Sequence, residues 1–194
     1  MEEGRLRPLC PSSTQSGEEM RFSLRGKTEV SDNGVVANHR VFDYVSPDRT
    51  RAWKVIEAYV WPVDWWNITL PDDGFMVATA ALATDTGKFN QNEMVDPTEN
   101  RMFAWAMQTY NTREATAASD FLCPNSTALG NMRMLVDPDH LITKELYINF
   151  ANTSDTDVSA VRHWGWLIVL EERKITPVQS VFQQIKGMGQ DLDA

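Results

Sequence analysis

The chain has 194 residues, of which 42% are hydrophobic and 23% are charged, and its formal net charge at pH 7 is −9. This length allows one good hydrophobic core and is too short for two ordinary domains beside a polar N-terminal stretch. The acidic excess argues against a surface dedicated to phosphate backbones, which needs lysine and arginine in excess. The longest apolar runs are far below the ~20 residues of a membrane-spanning helix.

Residues 1–19 have the composition of a flexible arm. They hold two prolines and four serines or threonines, without a periodic apolar pattern. Such an arm is either a frayed terminus or a segment that orders against a neighbouring subunit. Cys10 lies in this arm and Cys123 in the body of the chain, so we expect no disulfide framework.

Short strand-like runs follow from Met20 onward. They alternate apolar and polar residues or are apolar throughout, which is typical of strands buried on one or both faces. Turn signals such as Ser31–Gly34 and Pro71–Gly74 separate them. The predicted strands occupy residues 20–25, 39–45, 52–61, 75–84, 101–107, 141–150 and 162–171, and loops longer than hairpins fill 62–73, 85–100 and 108–135.

This strand pattern predicts an all-β fold, an antiparallel β-sandwich over residues 20–175. No βαβ spacing occurs, so a parallel sheet is not predicted. The long loops between strands favour a single jelly roll over a simple meander. An immunoglobulin-type sandwich is the competitor, but it expects shorter, more even strands and often a Cys…Trp…Cys pattern that this chain lacks.

An amphipathic helix is predicted at the C-terminus. Thr176 can cap the helix, and Pro177 suits its first position. We therefore expect a C-terminal helix and acidic tail over residues 176–194. Apolar residues recur at helical spacing, at Val178, Val181, Phe182, Ile185 and Met188.

The chain has seven tryptophans. Trp164 and Trp166 share a parity in their strand and so point to one face, while Gly165 leaves room on the other face for close packing or a bulge. Loop aromatics can be core at the end of the sandwich, a subunit contact or a sugar platform. A group of this kind comprises Trp61, Trp65 and Trp66.

The three histidines carry no metal-ligand spacing. His39, His140 and His163 have no HxH, HxxxH or CxxC neighbour, and a turn explains the carboxylates of residues 137–139 better than a metal does. The chain also lacks GxSxG, GxxxxGKS/T and GxGxxG motifs. We expect no enzyme activity, no cofactor and no catalytic metal, although loops such as 137–139 supply the oxygen ligands that calcium takes.

Two segments carry a resemblance to a known family. Residues 135–149 form a turn that leads into a strand, and residues 167–191 form a strand, the tripeptide Ile-Thr-Pro and a helix. This pattern is similar to virion proteins of small marine bacterial DNA viruses. Over residues 135–192 the chain resembles a small viral jelly-roll coat protein.

The resemblance implies a non-enzymatic virion structural protein that self-assembles into an icosahedral capsid shell, often through trimers or pentamers. It would be the major capsid protein or a penton or minor coat component. Its partners would be copies of itself and other virion proteins, with no small-molecule substrate. Its location would be the virion, after synthesis in the host cytoplasm.

The charge of the N-terminal arm differs from that of one common class of viral coat protein. Coat proteins that package naked single-stranded genomes often carry an arm rich in Arg and Lys, whereas residues 1–19 hold only Arg5 and Arg7 against four glutamates. Direct nucleic-acid binding by the arm is therefore not expected. A shell over an internal membrane, with contact to that membrane, or a penton or decoration role fits the charge better. The modest basic clusters are interpreted as solvated strand edges or faces: Arg21, Arg25 and Lys27, Arg49 and Arg51, and Arg173 and Lys174.

The candidate site is an interface rather than a catalytic centre. Three of its members fall within one ~100°-wide stripe of the predicted helix, which we expect to be buried against a sheet or a neighbouring subunit. The alternative function is a carbohydrate-binding β-sandwich module, which would use the loop tryptophans with Asp64, Asn67 and Asp72 as a sugar site. The candidate interface residues are Trp61, Trp65, Trp66, Val178, Phe182 and Ile185.

Overall fold

Nine β-strands and one α-helix form the regular structure of the described residues, apart from a 3₁₀ turn at Glu93–Val95. The computed structural model describes residues 20–31, 33–44, 49–63, 75–90, 92–96, 98–111, 132–154 and 161–188. The strands are β1 (Arg21–Ser31), β2 (Val35–Asp43), β3 (Arg51–Pro62), β4 (Phe75–Ala83), β5 (Met102–Asn111), β6 (Met132–Arg133), β7 (Leu135–Val136), β8 (Glu145–Ser154) and β9 (Val161–Lys174), and the helix is α1 (Pro177–Met188).

The strands form two antiparallel sheets, with the orders β1-β9-β3-β6 and β2-β8-β4-β5-β7. Their pairings are nested along the chain, because β1 pairs with β9, β2 with β8, β3 with β6 and β4 with β5. Met134 alone separates β6 from β7, and the two belong to different sheets, so together they act as one strand that passes between sheets. Strands nested in this way form a jelly roll, and the predicted antiparallel sandwich is confirmed.

The main core is an apolar layer between the two sheets. Side chains alternate along each strand, so every second residue in the middle of β9 points inward. Trp164, Trp166 and Ile168 are buried in this way. They belong to one cluster with residues of the facing sheet, such as Leu82 and Phe150.

A second, smaller cluster covers part of the outer face of the five-stranded sheet. Phe89 and Met94, from the segment between β4 and β5, pack there with Ala81, Ala83 and Met102. The predicted long loop at 85–100 therefore has apolar contacts of its own.

Gly165 allows close packing on the outer face of the four-stranded sheet. Trp164 and Trp166 both lie in the core, which confirms the face predicted from their parity. Gly165 is the Cα partner of Trp61 of β3, and a Cβ atom on the glycine would lie 2.7 Å from Cε2 of that indole. The indole therefore lies directly against the glycine backbone.

We expect Gly26→Ala to destabilise the sandwich. Gly26 of β1 pairs with Trp166, and a Cβ atom there would lie 2.8 Å from Cε2 of the buried indole. Trp166 Nε1 also donates a hydrogen bond to Thr28 Oγ1 (3.2 Å), so the ring has little room to move. Overpacking of this kind costs about 1–3 kcal/mol, which urea unfolding would measure. Ser23→Ala, on the exposed side of the same strand, is the control and should change the free energy of unfolding by less than about 0.5 kcal/mol.

Some boundaries differ from those predicted. β8 begins at Glu145 rather than at Leu141, because the residues before it form a turn and Ile142 makes only an isolated bridge with Trp53. The short strand β6 lies inside the interval predicted as a loop, since two residues are too few for alternation to be recognised. The predicted arm, residues 1–19, lies outside the described residues.

Candidate functional site

Helix α1 begins with a capping box, in agreement with the predicted cap. Thr176 Oγ1 accepts a hydrogen bond from Gln179 N (3.2 Å), and Gln179 Oε1 accepts one from Thr176 N (2.9 Å). This exchange satisfies backbone N–H groups that a helix start would otherwise leave without a partner. Pro177 stands at the first helical position, where its missing N–H costs nothing.

The polar side of α1 is attached to the turn that precedes β8. Gln183 Nε2 donates a hydrogen bond to Asp139 O (3.3 Å), and Gln183 Oε1 accepts one from Leu141 N (3.4 Å). One turn further along the helix, Lys186 Nζ donates to Asp137 Oδ2 (2.9 Å). Hydrogen bonds and an ion pair, rather than apolar packing, thus hold the second half of α1 on the sandwich.

The apolar side of α1 faces away from the sandwich. Ser180, on the opposite side, is 2% exposed. The apolar side chains, which we name the α1 stripe, are 44–66% exposed: Val178, Val181, Phe182 and Ile185. With ordinary side-chain areas their exposed surface is roughly 400 Å², which reaches the size of the largest apolar patches on typical monomers.

The sequence predicted that this stripe is buried either against a sheet or against a neighbouring subunit, and the first alternative is wrong. Val178, Phe182 and Ile185 are not buried against a sheet of their own chain, since they are 64%, 66% and 58% exposed. The turn before β8 offers the helix a carbonyl, an N–H and a carboxylate, and these suit its glutamine and lysine rather than its apolar residues. Burial against a neighbouring subunit stays a prediction. Val181 was not a predicted interface residue, although its helical spacing also places it on the stripe.

His140 anchors the turn on which α1 sits. The residue is 2% exposed, its ring stacks on Phe103 with centroids 4.3 Å apart, and its Nε2 lies 3.2 Å from Thr84 Oγ1. Burial, with a smaller contribution from the charge of Lys186, lowers the pKa of His140 to about 4, and Asp137 opposes the shift. The imidazole is therefore neutral at pH 7 and acts as part of the core.

The remaining histidines lie elsewhere. His39 is exposed on β2, and His163 Nε2 lies 3.0 Å from Glu29 Oε1. Within the described ranges, no group of three or more His, Cys, Asp or Glu side chains is placed to hold a metal ion. None of the helices described here is long and apolar enough to cross a membrane.

Of the three loop tryptophans, Trp61 is half-buried on the outer face of the four-stranded sheet. Trp65 and Trp66 lie outside the described residues, and so do the polar residues of the sugar-site alternative: Asp64, Asn67 and Asp72. The grouping of these tryptophans as an interface or a sugar platform stays a prediction.

Comparison with known proteins gives structural likenesses alone. No protein-family model matches the sequence, and no curated protein matches it. The chain is similar to a chain of Cocksfoot mottle virus, at 13% identity and a TM-score of 0.32, over 93% of this chain and 100% of the other. It is similar to a chain of Turnip Yellow Mosaic Virus at 6% identity and a TM-score of 0.33, over 81% of this chain and 96% of the other. It is similar to a chain of infectious bursal disease virus, Gt strain, at 9% identity and a TM-score of 0.29, over 91% of this chain and 43% of the other. These neighbours come from virus structures, but TM-scores at this level say nothing of what this chain binds.

Proposed function

We propose that the protein is a non-enzymatic structural subunit of a virion, which assembles with its own copies and other virion proteins into a capsid shell. The observation that carries this proposal is the α1 stripe, which the folded chain leaves exposed. Apolar patches of roughly 400 Å² are among the largest on folded domains and are often functional, which supports an interaction site here.

The contacts that attach α1 to the sandwich fix the helix with its apolar stripe facing outward. The capping box defines the start of the helix, and the bonds of Gln183 and Lys186 orient its second half. Transfer of the stripe from water into an interface would gain about 25 cal/mol per Å², or roughly 10 kcal/mol before the entropy costs of association.

The stripe alone is too small for a stable interface. Specific protein interfaces bury about 800 Å² per partner, roughly twice its area. We assign the additional surface to the arm, residues 1–19, and to the loop that holds Trp65 and Trp66. The described residues form both sheets of the jelly roll without these two segments, and in this proposal the segments clamp neighbouring copies.

The jelly-roll topology is compatible with this role and does not by itself distinguish it from a lectin-type module, since both use the fold. A sugar-binding module has no need of an exposed apolar helix. The sequence resemblance over residues 135–192 implies a place in the virion, as major capsid protein or as penton or minor coat component. The acidic arm favours a shell over an internal membrane, or a penton or decoration role.

Sizing of the purified full chain tests the proposal. We expect light scattering and electron microscopy to show capsomers or shells rather than monomers. Deletion of residues 1–19 together with Trp65→Ala and Trp66→Ala should shift the population to smaller species, while the circular dichroism spectrum stays that of a β protein. A wild-type chain that is a monodisperse monomer at high concentration, with tryptophans protected by a sugar, would replace this proposal by the carbohydrate-binding one.

A further inference from the structure

The described sandwich carries a different charge from the chain as a whole. The described residues contain 15 lysines and arginines and 12 aspartates and glutamates, whereas the rest of the chain contains 3 and 15. The negative charge therefore comes from sequence outside the described residues. At physiological ionic strength, exposed charges more than about 8 Å apart are largely screened, so the charged side chains of the face itself contribute strongly to what a ligand bound there meets.

Basic side chains gather on the outer face of the four-stranded sheet. Since side chains alternate along a strand, residues next to core members such as Trp166 point outward. Arg25 of β1 and Arg133 of β6 lie in one row across the sheet. The row between them is completed by Leu167 and Tyr59, which are successive Cα partners. The basic residues at outward positions are Arg21, Arg25, Lys27, Lys54, Arg133 and Arg173.

Acidic residues neutralise only part of this charge. Glu171 is fully buried and forms ion pairs with Arg21 and Arg173. Glu29 lies at one end of the face, with its Oε1 3.0 Å from His163 Nε2. Glu57 is the third acidic residue at an outward position of this sheet among the described residues. The other four basic side chains have no ion pair within the part of the chain that the structure describes.

Two aromatic side chains lie among these cations. Tyr59 and Trp61 are two residues apart on β3, so they share a side of the strand about 7 Å apart. Both are half-buried. Three indole atoms of Trp61 lie 2.7–3.0 Å from the Cβ position of Gly165, so the ring lies over that glycine on the outer face. Lys27 of β1 is the Cα partner of Gly165 on its other side, so Lys27 and Trp61 flank the same glycine in one row across the sheet.

We propose that this basic–aromatic face binds single-stranded nucleic acid. Bases stack on Trp61 and Tyr59, and phosphates bind the four basic side chains that have no ion pair. Aromatic rings beside cations suit an unpaired strand, because its bases are free to stack while its backbone needs positive charge. In a duplex the bases stack on one another, so their faces are not free to stack on aromatic side chains. A neutral sugar carries no negative charge to pair with the four cations. The site lies on the sheet rather than on α1 or the N-terminal arm. Trp61 also belongs to the predicted interface group, so the separation from assembly is tested with Arg25 and Lys27, which do not.

Binding of a labelled oligothymidylate about 20 nucleotides long to the full chain tests the proposal by fluorescence anisotropy over a range of salt concentrations. Arg25→Ala with Lys27→Ala should lower the salt slope by about 1.4, since each phosphate contact on a single strand contributes about 0.7. Trp61→Ala should weaken binding about tenfold or more, whereas Trp61→Phe should retain most of it. The matched control is Lys88→Ala with Lys144→Ala, which removes two exposed lysines outside the face and should leave the slope unchanged.

The outcomes separate this proposal from the assembly proposal. Particle size should be unchanged in Arg25→Ala with Lys27→Ala, because the α1 stripe is intact. If copies of the chain cover the face in a shell, the face is still accessible in Phe182→Asp, which should not self-associate. Binding is therefore measured on that variant as well. Absence of binding at low salt in both forms, equal loss in the control variant, or equally tight binding of a duplex or heparin would overturn the proposal.

Discussion

Phe182→Asp should abolish self-association of this chain and leave its thermal unfolding almost unchanged. The side chain is 66% exposed, so a carboxylate there stays hydrated in the single chain and removes no core contact. In an interface the same carboxylate would be buried without a partner, which costs several kcal/mol. A loss of about 3 kcal/mol per contact weakens association more than a hundredfold. Sedimentation velocity and differential scanning calorimetry measure the two quantities.

Gln179→Glu is the matched control for this substitution. It adds the same charge to the same helix, off the stripe, and a glutamate at this position keeps the capping box with Thr176. We expect it to assemble as the wild type does. If Phe182→Asp assembles as the wild type does, the α1 stripe is excluded as an interface. A large drop in the melting temperature of Phe182→Asp would mean that the stripe packs on its own chain.

The free energy of unfolding should fall by about 3 kcal/mol as the pH is lowered from 6.5 to about 4, because of His140 alone. The pKa of the folded-state imidazole is below its ordinary value. Between the two values the unfolded chain binds a proton that the folded chain does not, so acid favours unfolding. Well above pH 6.5 the imidazole is neutral in both states and contributes no pH dependence. Urea unfolding at a series of pH values measures the effect.

His140→Phe should remove this dependence of the free energy of unfolding on pH, whatever it does to the absolute stability, because the phenyl ring has no titratable group. His39→Gln, at an exposed histidine, should keep it. Carboxyl groups with a lowered pKa, such as those of Glu99 and Asp137, lose their contribution as the pH falls below their ordinary values of 4.5 and 3.8. The interval from pH 6.5 to 4.5 therefore isolates the histidine. A flat wild-type profile there, or an unchanged slope in His140→Phe, would contradict the assignment.

Local features of this protein could be predicted from sequence because they depend on neighbouring residues. Alternation of polar and apolar residues follows from the two-residue period of a strand, and it placed Trp164 and Trp166 on the core face correctly. The capping box at Thr176 involves residues three positions apart, so it too is visible in the sequence. The antiparallel sandwich and its jelly-roll topology followed from the strand pattern and the loop lengths.

The orientation of α1 was decided by the tertiary structure alone. Helical spacing shows that an apolar side exists, but it does not show what that side faces. The partners of Gln183 and Lys186 come from a turn more than 40 residues earlier in the chain, and only folding brings that turn under the helix. The burial of His140 has the same origin, since Phe103 and Thr84 belong to other segments.

The charge of the sandwich face is also a property of the fold. Arg25 and Arg133 are far apart in sequence and come into one row only because β1, β9, β3 and β6 pair in that order. The net charge of −9 sums the whole chain and conceals this separation. Composition and periodicity thus determined what the elements are, whereas long-range pairing decided which of their faces meet and which remain open to a partner.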